Sequence, residues 1–152
     1  MKTFRVERSI DIAAPAHEIA PLIEDFHAWR SWSPYEERDP GMKRSYGAIA
    51  RGPGASYGWE GNKNVGAGEM EILQSSLSLV VIDLRFLKPF KAHNQAQFAL
   101  QPNAAGGTRV SWAMTGPASL MMRVMGLFVN MDKMIGRDFE AGLAKLKSQV
   151  EV

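Results

Sequence analysis

Three histidines, His17, His27 and His93, are the first places to look for chemistry, because imidazole is the commonest metal ligand and titrates near neutral pH. A metal site needs two or three of them to converge with carboxylates, and no spacing such as His-Glu-x-x-His occurs. His17 falls on the polar side of a helical segment beside Glu18, His27 in a tryptophan-rich connection, and His93 at the start of a strand in the outward register. No metal and no cofactor are expected. Cysteine is absent, which removes disulfides, thiolate ligands and cysteine nucleophiles together. No Ser-His-Asp order with an elbow motif is present, and Gly52-Pro53-Gly54 lacks the lysine and helix start of a phosphate loop. The sequence assigns no catalytic residue.

General acid–base catalysis requires a proton-transfer group facing the substrate, so the next question is which side chains point inward. That depends on the elements. From Thr3 to Ile12 hydrophobic and polar residues alternate, with Phe4, Val6, Ile10 and Ile12 on one face, which predicts a half-buried strand. Pro15 suits a first helical position, and Ile19, Leu22, Ile23 and Phe26 follow at helical spacing. Pro21 within that stretch predicts a kink or two short helices.

Between Met42 and Thr115 the pattern is of consecutive strands, near 43–50, 55–62, 66–75, 78–87, 92–101 and 108–115, with no room for helical crossovers. Gly106-Gly107 marks a hairpin tip. From Ala118 to Glu151 the chain turns helical. Met131, Ile135, Phe139, Leu143, Leu146 and Val150 recur every three or four residues, while Gly126 and Gly136 each weaken the helix by about 1 kcal/mol, and a break or bend is expected near 126–130. At 152 residues the chain is expected to form one domain, 1–152. The fold class is α+β: a curved antiparallel sheet of about seven strands wrapped around a long C-terminal helix.

A bent sheet cannot follow a straight helix everywhere, and the gap is either filled or hollow. The alternation turns Tyr57, Trp59, Met70, Ile72, Val80, Ile82, Leu84, Phe86, Asn94, Ala96, Phe98, Leu100, Val110, Trp112 and Met114 inward. That set contains no carboxylate and no histidine. Asn94 and the polar tips of Tyr57, Trp59 and Trp112 are the few groups able to orient a small molecule, although the same residues fit a solid core equally well. Met121, Met122, Met125, Met131 and Met134 cluster in the first half of the helical region, and deformable side chains in such number suit a pocket wall or lid. Arg8 shares the inward register of β-strand 3–12 and suits either a ligand carboxylate or a place at the cavity mouth with its stem on apolar neighbours. Trp29 and Trp32 beside Phe26 suit a hydrophobic anchor for the loop up to Tyr46. Glu69, Glu71, Asp83 and Arg85 alternate outward, where exposed cross-strand pairs are expected, and Glu60 turns the same way, as a partner for Lys63 or a neighbouring strand.

Several stretches resemble the polyketide cyclase/dehydrase-like branch of the SRPBCC superfamily: Ser9-Ile10-Asp11-Ile12-Ala13-Ala14-Pro15, Asp25-Phe26-His27-Ala28-Trp29-Arg30-Ser31-Trp32-Ser33-Pro34, and Tyr57-Gly58-Trp59-Glu60-Gly61-Asn62 before Gly66-Ala67-Gly68-Glu69-Met70. Gly107-Thr108-Arg109-Val110-Ser111-Trp112 and Phe139-Glu140-Ala141-Gly142-Leu143-Ala144-Lys145-Leu146-Lys147 extend the likeness in order. The resemblance implies the helix-grip fold shared with START domains, a hydrophobic cavity, and a tryptophan region, Trp29 and Trp32, that borders its mouth as a gate, the alternative to the loop anchor. The family's members are functionally diverse, so it settles no reaction.

The expected function is binding of a small hydrophobic molecule, such as a lipid or polyketide-like metabolite, lined by Tyr57, Trp59, Asn94, Phe98, Trp112, Met114, Met125, Met131, Ile135, Arg8 and Trp32. An aromatase/cyclase or dehydratase in the same cavity is the alternative, with Tyr57, Asn94 and Arg8 as its polar participants; a regulatory or co-chaperone-like module acting through its outer surface is a third. Acidic and basic residues are interspersed despite a net charge of +2, so no nucleic-acid partner is expected. No export-type apolar run opens the chain and no stretch is long enough to span a bilayer, which predicts a cytoplasmic protein without a transmembrane segment.

Overall fold

A strand with one buried face requires the period-two pattern of the first dozen residues, and in the computed structural model β1 runs Thr3–Ile12 with Phe4, Val6 and Ile12 buried. The structure describes residues 3–62, 65–88, 91–118 and 127–151. After β1 come α1 (Ala16–Ile23), a 3-10 turn (Ala28–Ser31), α2 (Tyr35–Arg38), β2 (Lys43–Tyr46), β3 (Ser56–Glu60), β4 (Ala67–Ser75), β5 (Leu79–Lys88), β6 (Ala92–Pro102), β7 (Thr108–Pro117) and the C-terminal helix, α3 (Leu127–Val150). The seven strands form one antiparallel sheet in the order β1-β7-β6-β5-β4-β3-β2. Bulges at Ala67/Gly68 and Ile72/Gln74 interrupt the β4–β5 ladder, a device that sharpens curvature. The chain therefore has the α+β helix-grip architecture. Among the described residues no helix is long and apolar enough to cross a membrane.

Pro15 turns out to be the cap residue of α1, one position earlier than expected, and α1 carries Pro21 internally as a single short helix. Residues 119–126, where the helical region was expected to begin and Gly126 to bend it, lie outside the described residues. Gly106 takes the left-handed backbone of the β6–β7 hairpin tip, φ 86°, and Asn103 Oδ1 closes that turn by accepting from the Ala105 and Gly107 amides.

Helix α3 packs mainly along β1, with β7, α1 and the 3-10 turn at its flanks. Its glycines have a use that propensity alone does not reveal. A β-carbon on Gly136 would run into the guanidinium of Arg8, which reaches from β1 to Asp132 on α3 with Nη2 to Oδ2 at 2.9 Å. At Gly142 a β-carbon would stand 2.9 Å from both Trp112 Cζ3 and Pro34 Cδ. Those neighbours are rigid, so Gly142→Ala is expected to lower stability by about 1–3 kcal/mol through overpacking, in spite of the ~1 kcal/mol that alanine gains in helix propensity. Urea denaturation measures the change; a stabilised variant would show that α3 does not sit this close to the sheet.

Candidate functional site

The inward residues divide into two regions that alternation alone cannot separate. Trp112 is stacked on Phe139 of α3 at 4.0 Å between ring centroids and on Phe98 at 4.9 Å, and the edges of Trp29 and Trp32 meet it at 6.2 and 5.5 Å. Trp32 and Phe98 are fully buried and Trp112 is 3% exposed. The faces of these three residues, which the sequence suggested as ligand contacts, are taken up by one another and by Phe139.

The indole N–H of Trp29 donates to Ile23 O at 2.8 Å and that of Trp32 to Leu22 O at 2.9 Å. Both carbonyls belong to the last turn of α1, where no intrahelical donor is available. These contacts give the two tryptophans the anchoring role.

One ladder further along, the concave face changes character. Cross-strand pairing sets Leu84 beside both Asn94 and Met70, Met70 beside Tyr57, and Tyr57 beside Tyr46. Beyond them Trp59 lies across Gly68, its Nε1 donating to Val65 O at 2.8 Å, with Phe86 edge-on at 5.9 Å. Trp59, Met70, Phe86 and, on α3, Ile135 are large apolar side chains that remain only partly buried. The polar tip of Trp59 is thus already engaged by the backbone. Met114 is buried at 6% exposure and Asn94 at 7%, with the Asn94 amide 3.8 Å from Met114 Sδ. Met121, Met122 and Met125 lie outside the described residues, as does the side chain of Met131 within α3.

Arg8 is paired within the protein. It donates to the Asp132 carboxylate and, at 3.2 Å, to the Asp132 backbone carbonyl, so its charge is spent joining β1 to α3. Of the two partners expected for Glu60, Lys63 lies outside the described residues, and a residue of another strand, Lys88 of β5, stands 3.9 Å from it.

Two polar clusters went unnoticed in the sequence, and both centre on the four residues of α2. Glu36 pairs with Arg44 of β2, each side chain only 12% exposed, and Glu36 also faces the Tyr57 hydroxyl. Burial, with the Glu36 charge adding to it, pushes the Tyr57 phenol well above its ordinary range. Tyr46 stacks on His27 at 3.8 Å, and its buried hydroxyl has no hydrogen-bond partner among the described residues. On the other side of α2, Arg38 pairs with the buried Asp138 of α3, and Tyr35 faces the same carboxylate. Partners 100 residues apart, as Arg38 and Asp138 are, leave no periodic trace in a sequence.

Burial also raises the Asp138 carboxyl above the ordinary carboxylate range, outweighing the attraction of Arg38 and the hydrogen bonds from Tyr35 and Arg38. The folded protein consequently holds this proton more tightly than the unfolded chain. Its contribution to stability is present at acidic pH and is lost as pH rises through the folded pKa. Asp132 has the opposite sign: the Arg8 hydrogen bond lowers its pKa, and its contribution disappears as pH falls through the folded value. Asp138→Asn is therefore expected to match wild-type stability at pH 7 or exceed it, with a flatter pH dependence just above the carboxylate range. Urea midpoints at several pH values test this; a loss of about 3 kcal/mol, the usual cost of breaking a buried pair, contradicts it.

On the convex face Arg85 lies 3.6 Å from Glu69 and 3.0 Å from Asp83, and His93 Nε2 lies 2.5 Å from Asp83 Oδ1. An open groove of about 360 Å³ runs over these strands, between Ser45, Gly58 and Glu69 on one row and Gly47, Ser56 and Glu71 on the next. Among the described residues no three His, Asp or Glu side chains come together as metal ligands do.

The fold recurs widely among solved structures. A protein from Thermobifida fusca solved by NMR aligns at 22% identity with a TM-score of 0.70, over 96% of this chain and 92% of its own. A protein of unknown function from Staphylococcus aureus aligns at 10% identity and TM-score 0.71, covering 99% and 94%. The di-domain ARO/CYC StfQ from the steffimycin biosynthetic pathway aligns at 10% identity and TM-score 0.72 over 98% of this chain, which spans 51% of StfQ. Likeness at these identities speaks for a shared fold. No curated protein matches the sequence. The model of the family described as polyketide cyclase / dehydrase and lipid transport matches residues 3–151, and the chain belongs to that family.

Proposed function

We propose that the protein binds a small hydrophobic molecule against the concave face of β3–β6, beyond the aromatic block. One observation carries this reading: Trp59, Met70 and Phe86 of the inward sheet face, and Ile135 of α3, keep part of their apolar surface uncovered. Removing such surface from water contributes about 25 cal/mol per Å², so an apolar ligand laid on it is favoured by area alone. Ligand sites of this kind combine an apolar lining with a few convergent polar groups, and Tyr57 and Asn94 are those groups here. The family description, which joins cyclases with lipid transport, supports the same reading.

A cyclase or dehydratase reaction would use the same surface, and Tyr57 is the feature that bears on it. A phenol whose proton is held this tightly donates hydrogen bonds but is a poor general acid at neutral pH. With Arg8 engaged by Asp132, proton transfer from the described concave face has little to work with. Binding is the reading to test first. Gently purified protein examined by native mass spectrometry, together with titration of an environment-sensitive apolar dye, is expected to show a bound mass or saturable one-to-one dye uptake. Absence of both would remove the proposal.

A further inference from the structure

Resting on that reading, the structure assigns Asn94 as the specificity-determining residue of the proposed concave-face site, selecting a neutral ligand that presents a carbonyl or hydroxyl oxygen to its amide. Asn94 is 93% buried, the complement of its 7% exposure, and stands on the concave face beside Leu84. Among the described residues its amide has one hydrogen-bond contact, to the Met114 thioether at 3.8 Å, and sulfur is a weak acceptor. An amide buried with so little to bond to is costly unless something else satisfies it. The surroundings keep its place open: a β-carbon on Gly116 would run into Asn94 Oδ1 and stand 3.0 Å from Phe4 Cε1. Position 116 therefore leaves room for an amide that makes no strong bond within the described protein.

Charge sets the second half of the inference. An ionised ligand drawn into this face would need a cation, because a buried carboxylate is tolerated only when paired. The two arginines of the described inward face are both committed, Arg8 to Asp132 and Arg44 to Glu36. An amide can donate to a ketone, and can donate to or accept from an alcohol, without that requirement. The ligand class that fits is a neutral, oxygen-bearing hydrophobic molecule, with its oxygen at Asn94 and its apolar body over Leu84, Met70 and Phe86.

The test is displacement of a bound apolar dye from the intact protein at pH 8 by 2-dodecanone, 1-dodecanol, dodecanoate and dodecane. The ketone and alcohol are expected to compete at least about tenfold better than dodecanoate. Asn94→Leu, of similar shape, is expected to weaken the ketone and alcohol by about five- to tenfold, the worth of one hydrogen bond, and to leave dodecane unchanged or tighter. Its melting temperature should hold or rise, because the variant no longer buries an under-bonded amide. A fall in melting temperature with the ligand ranking intact would make Asn94 a structural residue and overturn the inference. So would equal competition by dodecanoate and ketone on the unaltered protein, a result that needs no variant and leaves the binding site itself standing. Failure of the dye and of every competitor to bind removes the site and the inference together.

Discussion

Met70→Trp is expected to abolish uptake of an apolar dye, weakening it at least about thirtyfold, while lowering stability by less than about 1 kcal/mol. Met70 lies between Tyr57 and Leu84 in the ladder of the concave face, and part of its side chain is uncovered. An indole placed there extends into the space the ligand is proposed to occupy. Were that space already filled, the added volume would force off-rotamer side chains and cost about 1–3 kcal/mol or more. Dye titration and urea denaturation on one preparation separate the two cases: lost binding with retained stability supports open space over Met70, and lost stability refutes it.

Trp112→Ala carries the second large effect, and it runs the opposite way. Trp112 is sandwiched between Phe98 and Phe139 with two tryptophan edges against it, so its removal leaves a cavity that rigid aromatic neighbours cannot close. A loss of about 3–5 kcal/mol is expected, a large share of the ~5–15 kcal/mol that domains typically possess. At roughly 2–4 °C per kcal/mol for a chain of this size, the melting temperature should drop by roughly 6–20 °C. A side chain lining an existing hollow would cost far less to truncate. Calorimetry showing a drop of only a degree or two would return Trp112 to the ligand surface.

The contrast between Met70 and Trp112 marks where the sequence stops being informative. Alternation places both on the inward face, and strand limits follow closely: β1 occupies 3–12 as expected and β6 ends at Pro102 against an expected 101. Strand β2 is shorter than the expected 43–50, ending at Tyr46, because the next stretch turns through Gly52 and Gly54 in left-handed backbone, φ 76° and 92°. Nothing in a period-two pattern states which part of the face the connection through Trp29 and Trp32 drops onto. That segment is fixed by its indole bonds to the end of α1, a tertiary fact, and it decides which inward residues are filled in and which stay open.

Helix glycines and charges carried a similar ambiguity. Gly136 reads as a weakness in isolation and as clearance for Arg8 once β1 and α3 are side by side. The Glu36–Arg44 pair, and the Arg38–Asp138 pair 100 residues apart in sequence, tie α2 to the sheet and to α3, yet each residue alone passes for an ordinary surface charge. Tyr57 was identifiable as an inward polar group, but the upward shift of its pKa comes from its burial and then from Glu36, a partner only the fold supplies.

Methyl NMR during titration with 2-dodecanone tests the proposed ligand position most directly. Methyl signals of Met70, Leu84 and Met114 are expected to shift saturably, while those of Val110 and Leu146, deep in the filled region, stay in place. Uniform small shifts across both groups, or movement confined to the second, would contradict a ligand seated on the open part of the concave face.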